Sequence, residues 1–219
     1  MKKALSIVSI IIISLLLTAC SNSSNSVSKE QKEQFVVGNH VTFGQYSGMS
    51  KKQPLDWIVL DVQDNRALLI SQYGIISKQY YSAYYQNTTW GTSDIRLWLN
   101  QDFYNEAFSS SEKKRILLTN VDNSKSQGFK YNNTNGGANT KDYVFLLSYS
   151  EYENYFSDRE SAICHPLNKK NSVCAWWLRS PGVYQHSAMF VRTDGSAYSK
   201  EAGTKGNYIR PACWISLGD

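Results

Sequence analysis

The chain has 219 residues, four cysteines, 13% aromatic residues and a formal charge of +5. That length fits one well-packed domain better than two. So mild a charge excess, with no basic cluster, leaves no electrostatic footprint for nucleic acid, which is set aside as a partner.

The chain opens "MKKALSIVSIIIISLLLTAC". Lys2 and Lys3 precede an uncharged, mostly apolar run from Ala4 to Leu17. This is the pattern of a secretory signal, too short and wrongly flanked for a stable span. Leu17-Thr18-Ala19-Cys20 resembles the bacterial lipobox, which implies lipid on the Cys20 thiol and cleavage just before it. Residues 1–19 are therefore expected to be a lipoprotein signal peptide, and residues 20–36 a lipidated tether. The tether segment "SNSSNSVSKEQKEQ" is polar and lacks aromatics, so it buries too little to fold. The expected location is the extracytoplasmic face of the cell membrane, with the membrane contacted through lipid and residues 37–219 forming the globular domain.

"HVTFGQY" alternates in strand fashion. "LDWIVLDV" and "RALLIS" are β-rich and joined by the turn signal Gln63-Asp64-Asn65, which predicts a hairpin. "TSDIRLWLNQDFYNEAF" carries Ile95, Trp98, Leu99 and Phe103 on one helical stripe, with Thr92 or Ser93 as cap. Ser109 with Glu112, and Ser148 with Glu151, read as capping boxes that open two further helices. Between them, Asp122 to Asp142 reads as a long mobile surface loop, followed by "YVFLLS" as a buried strand. In the last third, "CAWWLRS", "AMFVRT", "SAYSK" and "YIRPACWIS" read as strands, with "TDGS" as a hairpin turn. Pro181 and Gly182 fit the central places of a type II turn. The expected class is α+β in a single domain.

Beyond Cys20 the cysteines are Cys164, Cys174 and Cys213. Cys164 with Cys174 would close the loop "CHPLNKKNSVC" and is the candidate disulfide, while Cys174 with Cys213 is the alternative. There is no Cys-x-x-Cys, and the only histidine near these cysteines is His165, so no metal and no cofactor is expected.

The segments "VTFGQY", "PLDWIVLDVQDNRALLIS", "TWGTSDIRLWLNQDFYNEAF", "VFLLSYSEYENYF", "WWLRSPG" and "IRPACWI" occur in that order. As a set, over Val37 to Leu217, they resemble a bacterial family known only as a domain of unknown function. That family is common in surface proteins and lipoproteins of Firmicutes and their relatives. The resemblance implies a C-type-lectin-like fold related to sulfatase-modifying-factor proteins, with a twisted antiparallel sheet and flanking helices. It implies no activity.

No G-x-S-x-G elbow accompanies His40, His165 and His186, and no pair of carboxylates stands out. The calcium motifs of lectins, Glu-Pro-Asn and Trp-Asn-Asp, are absent. The favoured reading is a non-catalytic binding or display domain for a glycan or protein ligand of the envelope. The alternatives are a sulfatase-maturation-like oxidase using cysteines and a structural envelope protein. Loops on a rigid scaffold carry recognition, so Tyr84, Tyr85 and Trp90 in "KQYYSAYYQNTTW", with Tyr184 and His186 in "GVYQHS", are the candidate ligand surface. The competing reading folds these rings inward over a sheet edge. Trp176, Trp177, Arg179, Arg210 and Trp214 are read as a structural signature. The tryptophan pair lies on opposite faces of a central strand, and each arginine needs a carboxylate or carbonyl partner.

Overall fold

The computed structural model describes residues 34–48, 51–130 and 133–218. The expected leader, Cys20 and most of the tether lie outside the described residues. Phe35 is already buried, so packing begins inside the stretch read as tether.

Strands β1 (His40–Tyr46), β2 (Gln53–Gln63) and β3 (Arg66–Ser71) run antiparallel. The β2–β3 turn is the expected one, with Asp64 at φ 49°, a conformation aspartate tolerates better than most side chains. The final strand, β11 (Ala212–Ser216), returns to pair with β3 and closes the order β1-β2-β3-β11. A second antiparallel sheet holds β8 (Trp176–Pro181), β9 (Ser187–Val191) and β10 (Ala197–Glu201). The "TDGS" turn joins β9 to β10, with Gly195 at φ 78° and the Arg192 N–H donating to Ser196 O at 2.8 Å. Residues 207–211 stitch the sheets together. On one side the Tyr208 N–H donates to Ala175 O at 2.7 Å, and on the other the Ile75 N–H donates to Ile209 O at 2.8 Å. The result is one curled, mostly antiparallel wall, a half-barrel.

The helices are short. α1 (Asp94–Trp98) passes through a π turn (Leu99–Phe103) into α2 (Tyr104–Ala107). Ser93 is its cap, accepting from the Arg96 N–H at 3.2 Å. Of the expected stripe, Ile95, Leu99 and Phe103 are fully buried and Trp98 is half-buried against the core. α3 (Ser110–Arg115) and α4 (Tyr149–Tyr155) both begin with the expected capping boxes. Two small pairings complete the fold: β4 (Tyr73–Gly74) parallel to β7 (His165–Pro166), and β5 (Thr119–Val121) antiparallel to β6 (Thr140–Asp142). α5 (Arg159–Ala162) precedes β7. The class is α+β, with sheet predominating.

Three local expectations change. The described part of the stretch from Asp122 to Asp142 is pinned rather than loose. Asn123 Nδ2 donates to Ala138 O at 3.0 Å, Thr134 Oγ1 donates to Gly182 O at 2.7 Å, and β6 lies within it. Its small polar side chains supply those bonds, which composition alone reads as flexibility. "YVFLLS" is not a strand. Val144 to Leu147 are buried, but the segment lies between the sheets and pairs with one strand of each at a single point, by an isolated bridge from Phe145 to Ala212 and by Leu147 O accepting from the Arg179 N–H at 2.9 Å. Finally, Gly182 does not adopt positive φ, which rules out the type II turn. β8 continues through Pro181, and the Gly182 N–H donates to Ser187 O at 2.8 Å, so the chain reverses at Tyr184–Ser187 instead.

Trp176 and Trp177 are both fully buried. They occupy opposite faces: Trp176 meets Tyr152 and Phe156, and Trp177 meets Tyr80 and Phe190. Each indole N–H is satisfied, by Ala162 O at 3.1 Å and Lys78 O at 2.9 Å. Trp214 is only half-buried, and the Arg66 guanidinium lies 4.5 Å over its ring. Trp176→Ala and Trp177→Ala are each expected to cost about 3–5 kcal/mol, read as a lower midpoint in denaturant.

Candidate functional site

Where β8 ends, the chain runs through a short exposed turn before β9 re-enters the core. Ser180 is buried, donating from Oγ to Gln127 O at 2.7 Å and accepting from the Tyr149 N–H at 2.8 Å. Gly182 follows in a tight place. A Cβ there would lie 2.2 Å from Ser199 Oγ and 2.4 Å from Ser187 Oγ, so this turn requires glycine for space. The same two serines position the turn, since Ser199 Oγ accepts from the Val183 N–H and Ser187 Oγ from the Tyr184 N–H, both at 2.9 Å.

Beyond this base lies a cleft of about 570 Å3. Tyr85, Phe129, Tyr149, Tyr184, His186 and Tyr198 line it, with Lys200 and Glu201 beside them. The Tyr184 and His186 rings stack at 5.4 Å, only 4° from parallel. Tyr85 meets His186 at 5.1 Å, and Tyr84 meets Tyr85 edge-on at 4.7 Å. Tyr84, Tyr85, Tyr184 and Tyr198 are 57%, 62%, 64% and 62% exposed, so these rings point to solvent rather than inward over the sheet.

Side-chain bonds tie together three of the segments around the cleft. Gln185 is the knot. Its Nε2 donates to Thr88 O at 2.9 Å and Asn135 O at 2.8 Å, and its Oε1 accepts from the Asn135 N–H at 2.9 Å. Glu201 Oε1 accepts from the Tyr85 N–H at 3.0 Å. Tyr85 itself sits at φ 55°, an uncommon conformation for a bulky side chain and one that only surrounding contacts maintain. The Tyr149 hydroxyl is pushed up to about 12, by burial first and then by Glu153. Tyr84 is also raised, first by its neighbour Tyr85. At neutral pH both phenols are therefore uncharged and can donate hydrogen bonds.

Four of the five residues read as a ligand surface come together: Tyr84, Tyr85, Tyr184 and His186. Trp90 does not join them. It is fully buried, and its Nε1 donates to Asp142 Oδ2 at 2.9 Å, which makes it core. Sequence reasoning missed Phe129, Tyr149, Tyr198, Gln185 and Glu201. Strand alternation in β10 offered a signal for Tyr198 alone.

The cysteines lie elsewhere. Cys164 and Cys174 face each other across an isolated antiparallel bridge, with the Cys174 N–H donating to Cys164 O at 2.8 Å. Cys213 is buried on β11 opposite Leu69. Among the described residues, no three His, Cys, Asp or Glu side chains cluster as metal ligands would, and no helix is long and apolar enough to cross a membrane.

A family model described as a domain of unknown function (DUF6273) matches residues 64–217. The chain belongs to that family. The DUF6273 match begins at the β2–β3 turn and takes in every residue that lines the cleft. No curated protein and no solved structure matches the chain.

Gly182→Ala is expected to destabilise the protein by about 1–3 kcal/mol through overpacking at the cleft base. Tyr184→Ala should stay within about 0.5 kcal/mol of wild type, because its ring is solvent-exposed. Thermal melts of the two variants side by side check this contrast.

Proposed function

We propose that the chain is a lipid-anchored extracytoplasmic binding module of C-type-lectin-like architecture, whose aromatic cleft takes a glycan of the cell envelope. The observation that carries this reading is the cleft itself. Three exposed tyrosines, Tyr85, Tyr184 and Tyr198, surround one concavity with half-buried Tyr149 and His186, and hydrogen-bonded polar groups hold it in shape. Large exposed rings grouped around a concavity mark an interaction surface. A flat ring offers its face to the C–H face of a sugar, while phenol and imidazole edges meet hydroxyls. Stacked Tyr184 and His186 form such a platform, and Tyr85 supplies a wall at an angle to it. Rings of this kind lose little conformational entropy on binding, because each has only two side-chain torsions.

The lipobox and tether support the anchoring. Lipid on Cys20 would leave the domain held off the membrane by its polar tether. Cys20→Ala is expected to abolish palmitate labelling and release the protein from the membrane fraction. Retention of label by that variant would remove the anchor from the proposal.

Full-length protein in nanodiscs, tested against purified peptidoglycan and wall polysaccharides, is expected to bind at least one glycan. Tyr85→Ala and Tyr184→Ala should each weaken that binding by about tenfold, equivalent to about 1.4 kcal/mol. No retained glycan, or tyrosine variants that bind like wild type, would refute the assignment.

A further inference from the structure

Arg210 is 1% exposed, yet among the described residues it forms no ion pair. Its Nε donates to Ser71 O at 2.9 Å, while Nη1 has no hydrogen-bond partner. Its guanidinium carbon lies 5.0 Å over the Trp176 ring and 5.3 Å over Phe156. Aromatic faces attract a cation but do not neutralise it. A buried guanidinium needs a counter-charge, and the ionisable groups acting on this one are the thiols of Cys164 and Cys174.

The two cysteines face each other across an antiparallel bridge, and the Cys164 thiol donates to His165 O at 3.7 Å. Gly74 leaves room for them, since a Cβ there would lie 3.0 Å from Cys174 Sγ. The chain between them passes through residues 168–173, all exposed, so one side of the pair is covered by a single surface loop. The Cys164 thiol is held below its ordinary range, first by the neighbouring Cys174 thiol and also by Arg210.

We propose that Cys164 and Cys174 form a reversible dithiol–disulfide couple, and that Arg210 biases it toward the dithiol by serving as counter-ion to a thiolate. The co-reactant is a disulfide-bearing small molecule or oxidoreductase outside the membrane. One thiolate attacks its sulfur, giving a mixed disulfide and expelling a thiolate. The second cysteine then attacks the protein-side sulfur, forming Cys164–Cys174 and expelling the second thiolate. Two electrons pass to the co-reactant, which leaves as two thiols once it has taken up the two protons. Oxidation removes the anion that Arg210 compensates, so the disulfide is more readily reduced than a purely structural one. This couple stands independently of the glycan reading.

Full-length protein equilibrated across glutathione ratios, alkylated and mapped by mass spectrometry tests it. One two-electron transition is expected, with loss of two hydrogens at Cys164–Cys174. It should be unchanged in Cys213→Ser and absent in Cys164→Ser. Arg210→Gln should favour the disulfide by about tenfold, or about 30 mV for a two-electron couple, and Arg210→Lys should stay near wild type. Failure to form this disulfide at any ratio, or an Arg210→Gln transition that does not move, overturns the proposal. Should Arg210→Gln not fold, thiolate ultraviolet absorbance decides. Absorbance at neutral pH in wild type that is lost in Cys164→Ser supports the role of Arg210, and its absence in wild type refutes it.

Discussion

The fold depends on how one buried guanidinium is held. Arg179, 2% exposed, lies at the centre of four segments. Its Nη1 donates to Leu146 O at 2.9 Å and to Glu151 Oε2, and its Nη2 donates to Asp122 O and Glu151 Oε1, each at 3.0 Å. Its own backbone joins in: the N–H donates to Leu147 O, and the carbonyl accepts from the Tyr80 hydroxyl. The planar fork of arginine suits this role because it satisfies a carboxylate and carbonyls at once. Through it β8 is tied to α4, to the end of β5 and to the irregular Val144–Leu147 segment. Losing Glu151 would leave a cation buried without its charge partner, a larger penalty than the loss of the contact alone.

Arg210 is the informative contrast. Both arginines are nearly inaccessible, and each guanidinium lies over at least one aromatic ring. Arg179 has a carboxylate and carbonyls, whereas Arg210 has one carbonyl and two rings. The first therefore behaves as a structural clasp. The second is a charge awaiting an anion, and sulfur is the ionisable group at hand.

Features that depend on a few adjacent residues were readable in the sequence. The capping boxes at Ser109–Glu112 and Ser148–Glu151, the hairpin at Asp64-Asn65 and the opposed faces of Trp176 and Trp177 all follow from spacing and backbone geometry. Glu151 shows where such reading stops. Its local role as a cap partner is visible three residues away. Its ion pair with Arg179 spans 28 residues, and only the fold creates it. The exposed tyrosines were identifiable as candidates by composition, but Trp90 in the same run went to the core because Asp142 received its indole N–H. A run of aromatics has no periodicity that separates wall from core.

The position of the cleft follows from the tryptophan strand. Trp176 to Arg179 are anchored on both faces, so the backbone emerging at Ser180 has little freedom. Gly182 then fits a space too small for any side chain, which fixes the direction of the Tyr184–Ser187 turn. Gln185 takes that turn as a fixed point and draws the Thr88 and Asn135 segments to it. Glu201 holds Tyr85 from the opposite strand in a conformation it would not choose alone. Rings placed in this way are pre-organised, so a ligand meets them without first ordering a loop. The tryptophan strand and the Tyr184–His186 platform are thus consecutive parts of one chain segment, with rigidity in the first setting geometry in the second.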